Sequence, residues 1–330
     1  MDENLTLGAA HDLVAETMVR CNTVPENARH VADALVAAEL AGQIGHGLRR
    51  VLPYGAQALA GKIDGAAIPS AKTTRPGTML IDAAHGFAYP ALSLAMDALP
   101  GMATSQGVAL AGVWRSHHAG VAGWFVERLA RQGFVAAMFA NTPAAMAPTG
   151  GTRALFGTNP IAFAAPITGA DPMVVDLALS NVARGKILAA AQKGEAIPDD
   201  WAVDIDGYPT TDPAAALKGT MQPAGGAKGA ALALMVEVLA AGLTGAVLAA
   251  DASDFFGTDG PPPGTGQLLL AIDPGALGGS SRIDELAGQF EGNGSARLPG
   301  RRRQAIAERV SREGIAVPDD LMAQIRALGT

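Results

Sequence analysis

The sequence predicts a mixed α/β protein in which a helical domain contributed by both chain ends surrounds a middle domain holding most of a sheet. Three observations lead there. The first hundred residues carry helix-type spacing of apolar side chains, and the stretch Arg301–Thr330 returns to helix. From Val108 onward the pattern changes to short apolar runs bounded by Gly, Pro and Asn, as buried strands are. The division expected is residues 1–107 plus 304–330 for the helical unit and 108–303 for the sheet unit.

Taken in order, Pro25 suits a first helical turn, and the pairs Val31/Leu35 and Val36/Leu40 show the i, i+4 spacing of a buried stripe. Gly42 and Gly45 end that helix, and a second helical stretch runs from Leu48 to Leu59. Val108–Val113, Phe134–Ala140, Ile161–Ala165 and Met173–Val175 read as buried strands, with Gly120–Arg131 as a helix between the first two. Gly229–Ala250 is long enough to span a membrane, but its single charge, Glu237, would sit near the centre, and Gly242 and Gly245 interrupt it. The expectation is a buried helix over Ala230–Ala241, ended by glycine. Asp251–Gly266 is irregular, Gln267–Ile272 is an apolar strand stopped by Pro274, and Glu291–Arg303 is a basic Gly/Pro loop.

Composition narrows the function. Of 330 residues, 49% are hydrophobic and 17% charged, enough to bury a large core. With 24 Lys and Arg against 31 Asp and Glu the net charge is −7, which argues against a general nucleic-acid or anionic-membrane binder. The N-terminus, Met1-Asp2-Glu3-Asn4, has no basic n-region, and a single cysteine, Cys21, permits neither an intrachain disulfide nor a Cys-rich zinc site. A reducing cytoplasm is expected.

Several polar stations can carry chemistry. His46 lies in Gly45-His46-Gly47, four residues before Arg50. On a helix start that spacing puts both side chains on one face, where a planar guanidinium can hold a carboxylate through parallel hydrogen bonds. A capping histidine beside a surface arginine is the plainer reading. Trp114-Arg115-Ser116-His117-His118-Ala119-Gly120 lies at a strand-to-helix junction, where an imidazole can exchange a proton near neutral pH. Adjacent histidines on an extended chain point to opposite faces and do not chelate together, so no metal is expected; a structural pair is the other reading. Gly225-Gly226-Ala227-Lys228-Gly229, before the apolar helix, can hold a phosphate on free N–H groups. It is not a P-loop, since Gly229 follows the lysine, and no Gly-x-Gly-x-x-Gly occurs anywhere. Arg297, Arg301, Arg302 and Arg303 form either a solvated or partner-binding basic face or a seat for the 2′-phosphate of NADP.

Together these motifs resemble the malate/L-lactate dehydrogenases of the second type, a family with sulfolactate, ureidoglycolate and diketogulonate enzymes and piperideine-2-carboxylate reductases. The resemblance covers nearly the whole chain. It rests on Gly45-His46-Gly47 with Arg50 and Tyr54, Ser116-His117-His118, the stretches 155–163 and 204–213, Lys228-Gly229, Thr265-Gly266-Gln267 and Arg297-Leu298-Pro299-Gly300. It implies a non-Rossmann nicotinamide-binding fold with a mixed, largely antiparallel sheet, a homodimer, and hydride transfer between NAD(P)H and a small 2-oxo acid or cyclic imino acid. His118 and His46 fall on the acid–base histidines, with His118 the expected proton donor. Arg50 falls on the carboxylate clamp, and Tyr54 joins it and His46 around the substrate. Thr142, Asp176, Leu177, Ala178, Lys228, Pro299, Gly300 and Arg301 fall on cofactor-contacting positions, with NADP favoured over NAD. Many members have Ser-His-Gly where this chain has Gly45-His46-Gly47. The glycine form resembles members associated with 3-sulfolactate, which ranks that substrate type ahead of the cyclic imino acids. A nucleotide-binding protein that kept the fold and lost its chemistry is the alternative of another class.

Overall fold

A computed structural model describes residues 3–330. Strand β1 (Glu3–Leu5) leads into α1 (Leu7–Arg20), whose first turn is capped by Thr6, its hydroxyl accepting from the Ala9 N–H at 3.1 Å. Helix α2 (Pro25–Leu40) begins at the expected proline and buries Val31, Leu35 and Val36. Two 3-10 turns, Ile44–His46 and Leu48–Arg50, then run into α3 (Val51–Leu59).

The next segment departs from the helical reading. Residues Ser70–Arg75 form β2 and Thr78–Asp82 form β3, ahead of α4 (Ala88–Gln106). All six residues of β2 are exposed, so it carries no apolar alternation that a sequence reading can detect. It is an edge strand, and Lys72 and Arg75 suit that place. The boundary expected at residue 107 therefore falls between β3 and a strand to which β3 is hydrogen-bonded.

That neighbour is β4 (Val108–Ser116), followed by α5 (Ala122–Ala130), β5 (Val135–Ala140), β6 (Ile161–Ile167) and β7 (Ala170–Leu177). An outlying region holds α6 (Arg184–Lys193), β8 (Ala202–Val203), α7 (Pro213–Lys218), β9 (Thr220–Met221) and α8 (Ala227–Glu237), with β8 and β9 paired. Then come β10 (Thr265–Ile272), α9 (Ser281–Glu291), α10 (Arg301–Glu313), β11 (Ile315–Val317) and α11 (Asp319–Ala327). Strand β11 pairs antiparallel with β1.

The main sheet has seven strands in the order β2-β3-β4-β10-β5-β6-β7. Only β3 and β4 run parallel; the other neighbours are antiparallel. This order has a functional consequence. The C-terminal ends of β4, β5 and β7 and the N-terminal ends of β10 and β6 all emerge along one edge of the sheet. Residues His117-His118, Asn141-Thr142, Asp176–Ala178 and Thr265-Gly266 are consequently neighbours in space though distant in sequence.

The principal core joins the terminal helices to the sheet, through Met18, Leu35, Leu99, Val113, Phe125 and Met138. A second cluster, including Met146, Ile187, Met221 and Val236, holds the outlying region together. Helix α8 continues through a π-type turn, Val238–Gly242, so the expected helix is present. Its burial is one-sided, however: Ala233 and Val236 are buried, whereas Leu232, Leu234, Met235 and Val238 are exposed. Among the described residues no helix is long and apolar enough to cross a membrane.

Candidate active site

Two segments meet at the sheet edge to make the site. One is the pair of 3-10 turns carrying His46 and Arg50; the other is the end of β4. The expectation of His46 and Arg50 on one continuous helix face is corrected. Gly47 separates the turns with φ −90° and ψ −140°, and the α-helix starts only at Val51. Glu39 causes the break: its carboxylate accepts the Leu48 N–H at 2.8 Å and fills the space where a Gly47 side chain would stand, 2.0 Å from its Cβ position. The two side chains nevertheless reach the same cluster.

The rings of His46 and His118 stack with centroids 5.0 Å apart and planes within 16°. Tyr54 on α3 places its hydroxyl 2.6 Å from His118 Nδ1 and 3.0 Å from the Tyr89 hydroxyl, so Tyr54 can donate to the imidazole while accepting from Tyr89. That bond occupies Nδ1 and leaves Nε2 as the nitrogen available for proton exchange. His117, beside it in sequence, turns the other way. Its Nε2 donates to Gln57 Oε1 at 2.9 Å, and its carbonyl accepts from Gln267 Nε2 at 3.1 Å. Phe255 packs on both imidazoles, at 5.0 Å from His117 and 5.2 Å from His118.

Arg50 is held from one side and free on the other. Its Nε donates to the Gly45 carbonyl at 2.9 Å and its guanidinium carbon lies 4.5 Å from the Phe256 ring centroid. Its Nη1 is buried with no partner, as is Nδ1 of His46. Buried polar atoms are normally paired, and these two orphans, with Nδ1 of His117 a third in the cluster, fit a ligand that supplies acceptor oxygens and a donor. Electrostatics agree. Burial first, then Arg50, lowers His46 to about 4. Burial, Arg50 and Lys62 lower His117 to about 3, against an opposing pull from Asp254. His118 is held well below the ordinary imidazole value by burial, Arg50, His46 and His117, in that order. Without a ligand the cluster has one guanidinium charge and three neutral rings.

The positions expected to meet a cofactor lie along the same edge, in two groups. Thr142 follows β5, and its hydroxyl accepts the Thr158 N–H at 2.9 Å. Leu177 and Ala178, at the end of β7, are exposed. Lys228 stands in the first turn of α8, exposed, after Gly225 and Gly226, whose φ values of +71° and +62° are ones that glycine adopts freely. Gly229 is pressed against the Ala224 carbonyl, 2.0 Å from its Cβ position, which excludes the Ser or Thr of a P-loop.

The second group centres on Asp176. Its carboxylate is turned inward, accepting from the Gly123 N–H at 3.0 Å and Gln43 Nε2 at 3.3 Å, with Arg303 at 4.0 Å. Burial holds it above the ordinary carboxylate range. Gln43 thus draws the His46 segment against the end of β7. Pro299 accepts the Val174 N–H at 3.0 Å, and Gly300, at φ +101°, caps α10. The arginine run divides here. Arg301 pairs with Glu291 and Arg303 with Glu127, at 2.8 and 3.2 Å, whereas Arg297 and Arg302 are exposed. Arg302 lines a groove of about 420 Å³ with Gln43, Asp176 and Gly300.

A sequence profile of the malate/L-lactate dehydrogenases matches residues 5–326. The chain belongs to the malate/L-lactate dehydrogenase family. This family member is 44% identical over 330 residues, 99% of its own length and 98% of the relative's, to a (2R)-3-sulfolactate dehydrogenase (NADP(+)) of Chromohalobacter salexigens. It is 38% identical to a Δ1-pyrroline-2-carboxylate reductase of Ancylobacter novellus, covering 100% of this chain and 99% of that one. Its fold is similar to the crystal structure of Δ1-piperideine-2-carboxylate reductase from Pseudomonas syringae, with a TM-score of 0.93, 38% identity and 99% of both chains covered. Five residues that pack in or against the histidine–arginine cluster escaped the sequence reading: Gln57, Lys62, Tyr89, Phe255 and Phe256. The aromatic pair lies in the stretch read as irregular loop, where nothing in the local pattern marks a ring that packs on histidine.

Proposed function

We propose that the protein is an NADP(H)-dependent oxidoreductase that transfers a hydride between the nicotinamide and a small 2-hydroxy or 2-oxo acid, with sulfolactate-type substrates ranked first. The observation that carries the reading is the cluster of His46, His118 and Arg50, with one nitrogen of His46 and one of Arg50 buried and unpartnered. Arg50 takes the carboxylate on its terminal N–H groups, its plane fixed by Gly45. His118, oriented by Tyr54 at Nδ1, exchanges a proton at Nε2 with the substrate oxygen, and His46 polarises that oxygen. A bound nicotinamide cofactor supplies or accepts the hydride.

His118, held unprotonated by burial, is in the form that accepts a proton in hydroxyacid oxidation. In the reducing direction a bound carboxylate offsets the Arg50 charge, which after burial is the next cause depressing the ring, and so raises the proton affinity of His118. At Gly45 a side chain would meet nothing within 4 Å, which supports room beside His46 for a bulky anionic group. The cyclic imino acids are the second reading, favoured by the reductases at 38% identity and by the apolar Phe255-Phe256 wall.

For the cofactor, we assign Thr142, Leu177, Ala178 and Lys228 to one part of the binding edge and Asp176, Pro299, Gly300 and Arg301 to the other. Arg302 and Lys228 are exposed, as cations for phosphate groups must be, and the 44% identical relative, a sulfolactate dehydrogenase (NADP(+)), supports NADP. The fold, on this reading, is a non-Rossmann nicotinamide-binding one. Residues 1–107 plus 304–330 supply His46, Arg50 and Tyr54, and residues 108–303 supply His118 and most cofactor contacts. The exposed apolar face of α8 supports a homodimer, and the single cysteine, Cys21, supports a cytoplasmic location. A spectrophotometric screen tests the reading, with NADPH and NADH against 3-sulfopyruvate, oxaloacetate, pyruvate, diketogulonate and the two cyclic imino acids. Oxidation of NADPH by at least one 2-oxo acid is expected. Cofactor binding without turnover on any of them would identify a protein that has lost its chemistry.

A further inference from the structure

We infer that Lys62 and Asp254 form a clasp that seats the dipeptide Phe255-Phe256 over the reacting side chains, making Lys62 a positioning residue for the reaction. Lys62 follows α3 and is 2% exposed, an unusual place for an ammonium group. Its Nζ donates to the carbonyls of Asp254 and Gly257, both at 2.9 Å, and lies 3.7 Å from Asp254 Oδ2. The Asp254 carboxylate closes the same turn from within, its Oδ1 accepting the N–H groups of Phe256 at 2.7 Å and Gly257 at 2.6 Å. Residues 254–257 are thus wrapped around one cation, and a buried ammonium is tolerated only with partners of this kind.

The clasp touches neither His118 nor Arg50. It acts through the two rings it holds. Phe255, 6% exposed, covers His117 and His118 and keeps water from them. Phe256 underlies the Arg50 guanidinium, whose Nε is fixed by Gly45, so the plane of the clamp is set from two sides. The remainder of the loop is tied back separately, by the Ser253 hydroxyl donating to the Pro261 carbonyl at 2.6 Å. Releasing Lys62 therefore frees the aromatic pair first. Water then reaches the imidazoles, and Arg50 loses its backing.

The inference rests on the reading of His118 and Arg50 as reacting groups, but its first test needs neither substrate nor cofactor. The charged and titratable groups facing His118 are Tyr54 from α3, Tyr89 from α4, His46 and Arg50 from the 3-10 turns, and adjacent His117; Lys62 and Asp254 lie behind Phe255. The charge of Lys62 acts directly on His117. His118 is consequently the diagnostic ring, because the clasp reaches it only through Phe255. Histidine-labelled full-length protein is titrated by NMR as wild type, Lys62→Met, Asp254→Asn and Phe255→Leu. Lys62→Met keeps the chain length and removes the ammonium. The expected result is a rise of His118 by about one pH unit or more toward its ordinary value in Lys62→Met and Phe255→Leu, and a smaller rise in Asp254→Asn. The pH profile of kcat/KM moves by the same amount, and KM for the carboxylate rises severalfold. A folded Lys62→Met protein with wild-type His118 titration would overturn the inference, even with lower activity or Tm, because Lys62 would then be only structural. Should Lys62→Met fail to fold, unchanged His118 titration in both Asp254→Asn and Phe255→Leu overturns it equally. An enzyme inactive on every substrate, but showing the His118 shift, would refute the proposed function and leave the clasp standing.

Discussion

Substituting His118 by alanine removes an imidazole bonded to Tyr54 at 2.6 Å and stacked on His46 at 5.0 Å and Phe255 at 5.2 Å. The structure sets the two costs apart. Tyr54 keeps its bond to the Tyr89 hydroxyl but one phenol O–H of the pair loses its acceptor, so the folding penalty is one buried hydrogen bond and a small cavity, ~1–3 kcal/mol. A domain of this size withstands that loss. On the proposed function the chemical step loses its proton donor, and positioned general acids contribute ~10²–10⁴-fold, or ~2.7–5.4 kcal/mol of barrier. Cofactor affinity should hardly move, because the proposed cofactor contacts Thr142, Ala178 and Lys228 lie elsewhere along the sheet edge. Turnover is followed by NADPH absorbance, and the cofactor Kd by quenching of NADPH fluorescence. The expected variant turns over at least ~10²-fold more slowly with a Kd within ~threefold of wild type. Turnover within ~threefold of wild type would remove His118 from the mechanism, as its loss should cost far more.

Three further outcomes follow from the same geometry. Tyr54→Phe leaves Tyr89 and His118 Nδ1 without their shared partner and should cost ~1–3 kcal/mol in chemical denaturation. Its kcat should fall with little change in KM, and an unchanged kcat would show that Tyr54 does not orient the ring. Acid should destabilise the protein below about pH 6.5: His46 and His117 sit near 4 and 3, so below their ordinary value the unfolded chain binds more protons than the folded one. Asp176 and Glu39, raised by burial, act in the opposite sense. His117→Gln, which can still donate to Gln57, should therefore flatten the fall in Tm between pH 6.5 and 4, and an identical slope would sink the assignment. Finally, Arg302→Ala should weaken NADPH about tenfold and NADH much less, while Arg301→Ala, its partner being Glu291, changes both little; equal losses of NADPH and NADH in Arg302→Ala would end the 2′-phosphate reading.

Much of the architecture was legible because the strands of the middle region are buried and carry apolar runs. Strands β4, β6, β7 and β10 each contain the run read for them, β5 starts one residue inside its run, at Val135, and Pro25 marked its helix to the residue. Strand β2 was not legible, since an exposed edge strand is held by backbone pairing and carries no apolar pattern. At the site, the side chains of His46, Arg50, Tyr54 and His118 stand in one cluster. The break at Gly47 was hidden because its cause, the Glu39 carboxylate, lies eight residues upstream. The same holds for Phe255 and Lys62. Neither has a local signature, and their meaning arises only when a loop of residues 251–266 is folded back onto the end of α3. Likewise an arginine run says nothing of which members are already neutralised; Arg301 and Arg303 are, by acids from other elements.

The pairing of β1 with β11 makes the backbone close to a ring. Arg326 bonds Glu3 across that seam at 2.7 Å, and Arg20 reaches the Leu328 carbonyl at 3.3 Å. A chain already fastened head to tail can be cut elsewhere with little loss, provided the cut lies in exposed backbone. The turn at Gly194–Ala196 is such a place, solvent-exposed and remote in sequence from every reacting side chain. A permuted gene that joins the present ends and opens there should yield a protein with the same histidine–arginine cluster. Its new termini would stand in the outlying region, free to carry a fused sensor or tether.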